Sequence, residues 1–403
     1  MRASHAFVGR RRLREGVSDA TVATRRHNRT DASKRTMRAI ARANANARTR
    51  VEGRRRVSPT RTRGTTMVSA SNEDATSSAT KFSKRRTLSN GRTVSSVGIG
   101  TMHWGDETQG FGTKYREKDL SEAFEAAMEG GIDFVDTAEV YGAKSSKFEQ
   151  SSEHIVGRCA AERRRMNTDG DGEVMPAFVG SKVFTVPWTN VVMGGSLRLS
   201  TASLVDALKE SVKRNQGEPL DLWSIHFPFP TWSQGALVDA LAQGMDLGLC
   251  KAVGVSNYNL KQMEEAYELL DAKGIPLVTN QVKYSVLERG PEQTGLLKAA
   301  EDMGITIVAY SPMGGGLLQT SADREIRTLN KLLEFIGAVN GGKSSSQVAL
   351  NYLMCKGAIP IASCTSVERA KQYADCLNFE LGEEDVATID EKLDYIDRQS
   401  GAR

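Results

Sequence analysis

Cysteine is scarce: five residues in 403 (Cys159, Cys250, Cys355, Cys364, Cys376) form no C-x-x-C pair and no Cys/His cluster. That spacing argues against a disulfide framework and against a zinc site, so reduced and largely buried thiols are expected and no metal is. No run approaches the roughly 18 consecutive apolar residues that a membrane span requires. Acids are nearly missing from residues 1–70, where Glu15, Asp19, Asp31 and Glu52 stand against nineteen Lys and Arg, a net charge of +15. Because the whole chain carries +5, the remainder carries −10. The basic excess therefore lies in a tail without a buried-face pattern, and it argues for no nucleic-acid partner of the body. Also missing is the G-x-G-x-x-G of a dinucleotide-binding βαβ unit. Gly98-Ile-Gly100-Thr-Met-His lacks the third glycine and no helix begins there, so a Rossmann sheet is discounted.

What the tail does contain is Arg, Ser, Thr and Ala, the composition of an organellar transit peptide. The alternative is a disordered basic arm for nucleic acid or anionic lipid. Residues 1–80 are expected to be transit peptide and linker, with cleavage between Thr65 and Ala79 or an alternative start at Met67. Residues 81–403 are expected to form one α/β domain.

Within that domain, short apolar runs recur, each followed by a polar turn and a segment of helical period, the alternation of βαβ units. The runs are Val97 to Gly100, Phe134 to Val135, Ala177 to Val179, Leu220 to Ile225, Ala252 to Val255, Leu277 to Val278, Ile305 to Ala309 and Ile359 to Ala362. Helix candidates include Leu120 to Glu129, Ser152 to Arg165, Thr201 to Arg214, Ala236 to Asp246, Leu260 to Lys273, Glu292 to Met303 and Ser344 to Cys355, with Glu383 to Leu393 at the end. Eight strands with seven intervening helices predict a (β/α)8 TIM barrel. Ahead of them Asn90-Gly91 predicts a hairpin with a type I′ turn, placed to plug the barrel's N-terminal end.

In such a barrel, function sits at the C-terminal ends of the strands. The runs end in Asp136, Lys182, His226, Ser256-Asn257, Asn280-Gln281 and Tyr310-Ser311, polar residues in register on one rim. Singly, Asp136 reads as a helix cap and His226 as a core histidine; six together are harder to dismiss. Asp136 opens Asp136-Thr-Ala-Glu-Val-Tyr141-Gly142, a loop able to bring a phenol back beside the carboxylate. A tyrosine titrates near 10, and an ammonium within about 4 to 6 Å lowers that value. Lys182, held charged by Asp136, suits this role, and His226 suits a hydrogen bond to a substrate oxygen. Together they describe a general-acid site for carbonyl reduction with hydride from a bound cofactor.

These stretches, with Val179-Gly-Ser-Lys182-Val, Asp221-Leu-Trp-Ser-Ile-His226-Phe-Pro228, Gly254-Val-Ser-Asn-Tyr258, Asn280-Gln281-Val and Ala309-Tyr-Ser-Pro312, resemble aldo-keto reductase motifs in family order from about Thr87 to Ile396. The resemblance implies a catalytic tetrad of Asp136, Tyr141, Lys182 and His226, with Tyr141 as acid. It implies that Ser256, Asn257 and Gln281 hold the nicotinamide carboxamide and that Tyr310 stacks on the ring. Ser311, Pro312 and Leu317 would lie along the pyrophosphate. After the last strand, Arg369 aligns with the arginine that clasps a ribose 2′-phosphate, which favours NADPH (NADP+) over NADH. Ser363 and Thr365 replace the usual glycine or lysine there, and Gln372 and Tyr373 replace a Glu-Asn pair at the adenine.

Proteins similar in motif wording carry a long segment after Tyr-Ser-Pro that folds over the cofactor; here only Gln319 to Asp323 separates Leu318 from the next helix, so the resemblance implies a truncated clamp. The expected substrate is a small carbonyl compound of mostly apolar or aromatic character, walled by the loop from Met102 to Tyr115 with Phe227, Phe229 and Trp232. The expected protein is a monomer with no nucleic-acid partner. The motif wording resembles plant and algal plastid members, which favours the chloroplast over the mitochondrion. An NADP(H)-binding regulatory or redox-sensing protein with little turnover is the alternative function.

Overall fold

The computed structural model describes residues 82–142, 148–169, 174–186 and 198–401. The expected leader, its cleavage region and Met67 lie outside the described residues. Strands β1 (Arg85–Thr87) and β2 (Thr93–Ser95) form an antiparallel hairpin. Then β3 (Gly98–Gly100), β4 (Phe134–Asp136), β5 (Phe178–Val183), β6 (Leu222–Ile225), β7 (Val253–Ser256), β8 (Leu277–Lys283), β9 (Thr306–Tyr310) and β10 (Ile359–Ser363) follow. Each pairs with its successor and β10 returns to β3, closing a parallel barrel of eight strands. The expected TIM barrel is the observed fold.

Helices cover its outside: α1 (Glu117–Glu129), α2 (Ser152–Asp169), α3 (Thr201–Arg214), α4 (Gln234–Asp246), α5 (Leu260–Asp271) and α6 (Leu296–Asp302). Beyond β9 come α7 (Arg324–Val339) and α8 (Ser345–Cys355), and beyond β10 come α9 (Val367–Asp375) and α10 (Glu383–Gly401). Ser200, Asn259, Ser344 and Ser366 start α3, α5, α8 and α9, each side chain accepting one of the backbone N–H bonds that a helix start leaves unpaired. The single helix expected over Glu292 to Met303 is broken, because Gly295 turns left-handed at φ 75° and α6 starts only after it.

The strands alternate their side chains between barrel interior and helix layer. Phe134, Phe178, Leu222, Ala252, Val278 and Val308 point inward, while Val135, Val179, Trp223, Val253, Leu277 and Ile307 pack under helices. Leu88 and Val94 of the hairpin join the inward set, so the hairpin does close the N-terminal end. Each is fully buried, a contribution of about 1.5–3 kcal/mol per side chain. Two acids fix the plug: Asp133 takes Arg85 at 2.5 Å and the Ser95 N–H at 2.6 Å, and Asp221 takes Arg92 at 3.2 Å and Lys251 at 3.0 Å. Its turn differs from the expected type I′. Only Gly91 has a positive φ, 81°; its N–H bonds Leu88 C=O at 2.8 Å and Leu88 N–H bonds Arg92 C=O at 2.7 Å. A three-residue loop ending in a left-handed glycine relieves Asn90 of the strained conformation.

Candidate active site

At the other end of the barrel, register brings the strand ends to one level: Gly100 opposite Asp136, Asp136 opposite Gly180, Lys182 opposite Ser224, Ser256 opposite Gln281, and Ser363 opposite Gly100. Asp136 and Lys182 are buried. The Lys182 ammonium lies 2.8 Å from Asp136 Oδ1 and 2.9 Å from Oδ2, and donates to the Thr137 carbonyl at 2.7 Å. Gln281 Nε2 donates to Asp136 Oδ1 at 2.7 Å, from a strand on the far side of the mouth. Tyr141 sits over this cluster, its ring centroid 4.9 Å from the ammonium and 5.8 Å from the His226 ring, which it meets edge-on. Asp136, Tyr141, Lys182 and His226 therefore converge.

Charge in this pocket is set by burial against pairing. Burial alone would lower the Lys182 pKa, but Asp136 and Tyr141 outweigh it and the net direction is up, so the ammonium stays charged. His226 is pushed well below its ordinary value by burial and by Lys182, so its ring is neutral at pH 7. For Tyr141 the outcome differs from the expected lowering. Burial raises the phenol, Lys182 pulls it back, Asp136 pushes it up again, and the net direction is up. A phenolate out of water loses more hydration than one ammonium, already shared with a carboxylate, returns.

Beside this cluster, Ser256 Oγ donates to Gln281 C=O at 2.9 Å, Asn257 Nδ2 donates to His226 C=O at 2.9 Å, and the Tyr310 hydroxyl donates to Asn257 Oδ1 at 2.9 Å. Asn257 and Ser311 take positive φ values of 62° and 52°, uncommon for non-glycine residues; the network above holds the Asn257 side chain, and Ser311 C=O accepts from Gly314 N–H at 2.9 Å. After Ser311 and Pro312, Gly314, Gly315 and Gly316 all take positive φ. A Cβ added at Gly315 or Gly316 would meet nothing within 4 Å, so their backbone faces open space, with exposed Leu317 next in the chain. On the adjacent strand Ser363 bonds His103 Nδ1 at 2.9 Å, and Arg369 and Gln372 are exposed on α9. These residues fit a dinucleotide: a half-buried aromatic ring among amide and hydroxyl groups, an open glycine cradle, and a guanidinium in the first turn of a helix.

Some features were missed or misjudged in sequence. His103, placed in sequence only within the loop from Met102 to Tyr115, is half-buried on the Ser363 hydroxyl; its position just past the first strand end was the available signal. Tyr373 is buried, with its hydroxyl on Ser363 C=O at 3.1 Å, so it buttresses β10 and does not face an adenine. Trp232 closes on Thr185 C=O at 2.8 Å through its indole N–H. Glu139 lies within the tyrosine-loop motif, but no signal in the sequence paired it with the buried Arg198. Among the described residues no cluster of His, Cys, Asp or Glu could hold a metal ion, and no helix is long and apolar enough to cross a membrane.

A closed parallel barrel with an acid, an ammonium and a neutral imidazole around a half-buried tyrosine, beside the Tyr310 ring and an open glycine turn, is the frame of a cofactor-dependent oxidoreductase. The Aldo/keto reductase family profile matches residues 96–394, and the chain belongs to that family. It is thus an NAD(P)H-dependent oxidoreductase acting on carbonyl or CH–OH groups. It is 30% identical over 329 residues to the chloroplastic pyridoxal reductase of Arabidopsis thaliana, spanning 76% of this chain and 84% of that protein. A thermostable aldo-keto reductase solved with the inhibitor epalrestat is similar at TM-score 0.61 and 27% identity, over 76% of this chain and 99% of that one. The Bombyx mori aldo-keto reductase AKR2E4, solved with NADP, is similar at TM-score 0.58 and 27% identity, over 76% and 92%.

Proposed function

We propose that this protein reduces an aldehyde or ketone to an alcohol with NADPH, Tyr141 acting as general acid. The observation that carries the reading is the buried ammonium of Lys182, held by both Asp136 oxygens and lying 4.9 Å from the Tyr141 ring. Bound NADPH supplies the hydride. Tyr141 gives its proton to the carbonyl oxygen, Lys182 stabilises the phenolate left behind, and neutral His226 orients that oxygen. Ser256, Asn257 and Gln281 bind the carboxamide and Tyr310 stacks on the ring. Ser311, Pro312 and Leu317 border the pyrophosphate, and Ser363, Arg369 and Gln372 serve the adenosine end. The aromatic wall of Phe184 and Phe227 beside His226 supports apolar or aromatic carbonyls as substrates, pyridoxal among them. Loss of NADPH absorbance on adding a panel of such carbonyls tests the reading; saturable NADPH binding without oxidation by any of them would instead support a cofactor sensor.

The preference for NADPH rests on Arg369. Arg369→Ala is expected to weaken NADPH binding by about 1.5–3 kcal/mol, roughly ten- to hundredfold in Kd, and NADH by much less. Equal losses in a fluorescence titration would remove the 2′-phosphate assignment. Residues 1–80 are read as a chloroplast transit peptide ahead of the catalytic domain 81–403, supported by their acid-poor, Arg-rich composition and by the chloroplastic relative. A fluorescent fusion of residues 1–80 is expected in plastids; mitochondrial or nuclear fluorescence would overturn that address.

A further inference from the structure

Strand β5 ends one residue after Lys182, at Val183, which is the last to pair with β6. Phe184 is the first residue past the ladder, and side chains take both its backbone groups. Its N–H donates to Glu139 Oε1 at 2.6 Å, and its carbonyl accepts from Arg198 Nη1 at 2.5 Å. Those two side chains also bind each other as a fork, Nη1 to Oε1 at 2.5 Å and Nη2 to Oε2 at 3.1 Å. Arg198 is 1% exposed and Glu139 4%.

Glu139 belongs to the tyrosine loop. The backbone of that loop runs alongside β5, Thr137 N–H on Gly180 C=O at 2.8 Å and Glu139 N–H on Lys182 C=O at 3.3 Å, then turns so that Tyr141 N–H reaches Ala138 C=O at 3.0 Å. Glu139 is thus two residues before the phenol, and Phe184 two residues after the ammonium. The ring of Phe184 meets the His226 ring edge-on at 5.4 Å.

We propose that Glu139 and Arg198 are positioning residues for the Tyr141–Lys182–His226 geometry, extending the ladder by side chains so that the tyrosine loop keeps one register against β5. The inference rests on the catalytic reading given above. A buried ion pair is weak as a source of stability, because two apolar side chains of the same volume often serve as well. What a guanidinium fork adds is direction: its donors and the two carboxylate oxygens meet in only one relative orientation. Catalytic constellations tolerate only about 0.5 Å of looseness, and a misplacement of about 1 Å costs roughly a hundredfold in rate.

The test is single-turnover oxidation of bound NADPH by a carbonyl substrate in Glu139→Gln and Arg198→Lys, across pH. Glu139→Gln keeps an acceptor for Phe184 N–H but loses the charge; Arg198→Lys keeps the charge but loses the fork. Both are expected to slow the step by about ten- to a hundredfold and displace its pH profile, with NADPH Kd within about twofold of wild type. A purely structural pair would lower the melting midpoint and leave the rate per folded molecule and the pH profile unchanged, and that result overturns the proposal. If Glu139→Gln does not fold, Glu139→Asp preserves the charge on an arm too short for both partners, and a wild-type rate in that variant overturns it equally. The catalytic reading fails separately: Tyr141→Phe would then keep its activity, whereas an inactive Tyr141→Phe beside fully active Glu139 and Arg198 variants defeats only the positioning role.

Discussion

Replacing Tyr141 by Phe is expected to slow hydride transfer from bound NADPH to an aldehyde by about 10²–10⁴-fold, the range a positioned proton donor supplies. NADPH affinity should stay within about twofold, since the substitution deletes one hydroxyl and leaves the ring against His226 in place. The other side chains of the cluster are poor substitutes as donors. Asp136 is bound by Lys182 and Gln281, Lys182 gains stability by staying charged, and His226, pushed well below its ordinary range by burial, carries no extra proton at pH 7. The phenol is thus the one group that is protonated at neutral pH and has a cation beside it to receive the charge it leaves. Stopped-flow traces under single-turnover conditions separate this step from product release. A Tyr141→Phe enzyme retaining more than about a tenth of the wild-type rate would move the acid elsewhere, because loss of a true donor costs at least a hundredfold.

Asp136, Lys182, His226 and Gln281 were legible because each ends or closely follows a short apolar run, and in a closed parallel barrel run ends share a rim. The same rule overran β6, which starts at Leu222 and not at Leu220, and understated β8. β8 continues to Lys283 although its apolar run stops at Val278, because Asn280 and Gln281 face polar partners, Tyr258 C=O and Asp136. Periodicity cannot see a strand whose polar residues are buried for a reason of chemistry. Glu139 and Arg198 were illegible for a different cause: they are 59 residues apart and only the third dimension pairs them. The direction of the Tyr141 shift was likewise out of reach, since it depends on how completely the phenol is desolvated, which no spacing of residues records. At the hairpin, Asn90-Gly91 marked the turn correctly, but its type was settled by the residues flanking it, with Leu88 anchored inside the barrel.

Lys182→Met is expected to have the second large effect, with two separable parts. Removing one partner of a buried ion pair leaves the Asp136 carboxylate with Gln281 but no counter-charge, at a cost of about 3–5 kcal/mol in stability. The catalytic part follows from the balance at Tyr141. Burial and Asp136 push the phenol pKa up and Lys182 pulls it down, so deleting the ammonium leaves only the upward influences. Reduction needs the protonated phenol, and the rate falls as pH rises through its pKa. The alkaline limb of the pH profile should therefore move to higher pH, while the plateau drops because a weaker acid transfers its proton less readily. Adding Asp136→Asn removes the stranded charge, so Lys182→Met/Asp136→Asn should recover much of the lost melting midpoint and none of the rate. A limb that stays in place, or moves toward neutral pH, would mean that Lys182 acts on the substrate and not on the phenol. Recovery of the rate together with the stability would mean that its ammonium serves the fold alone.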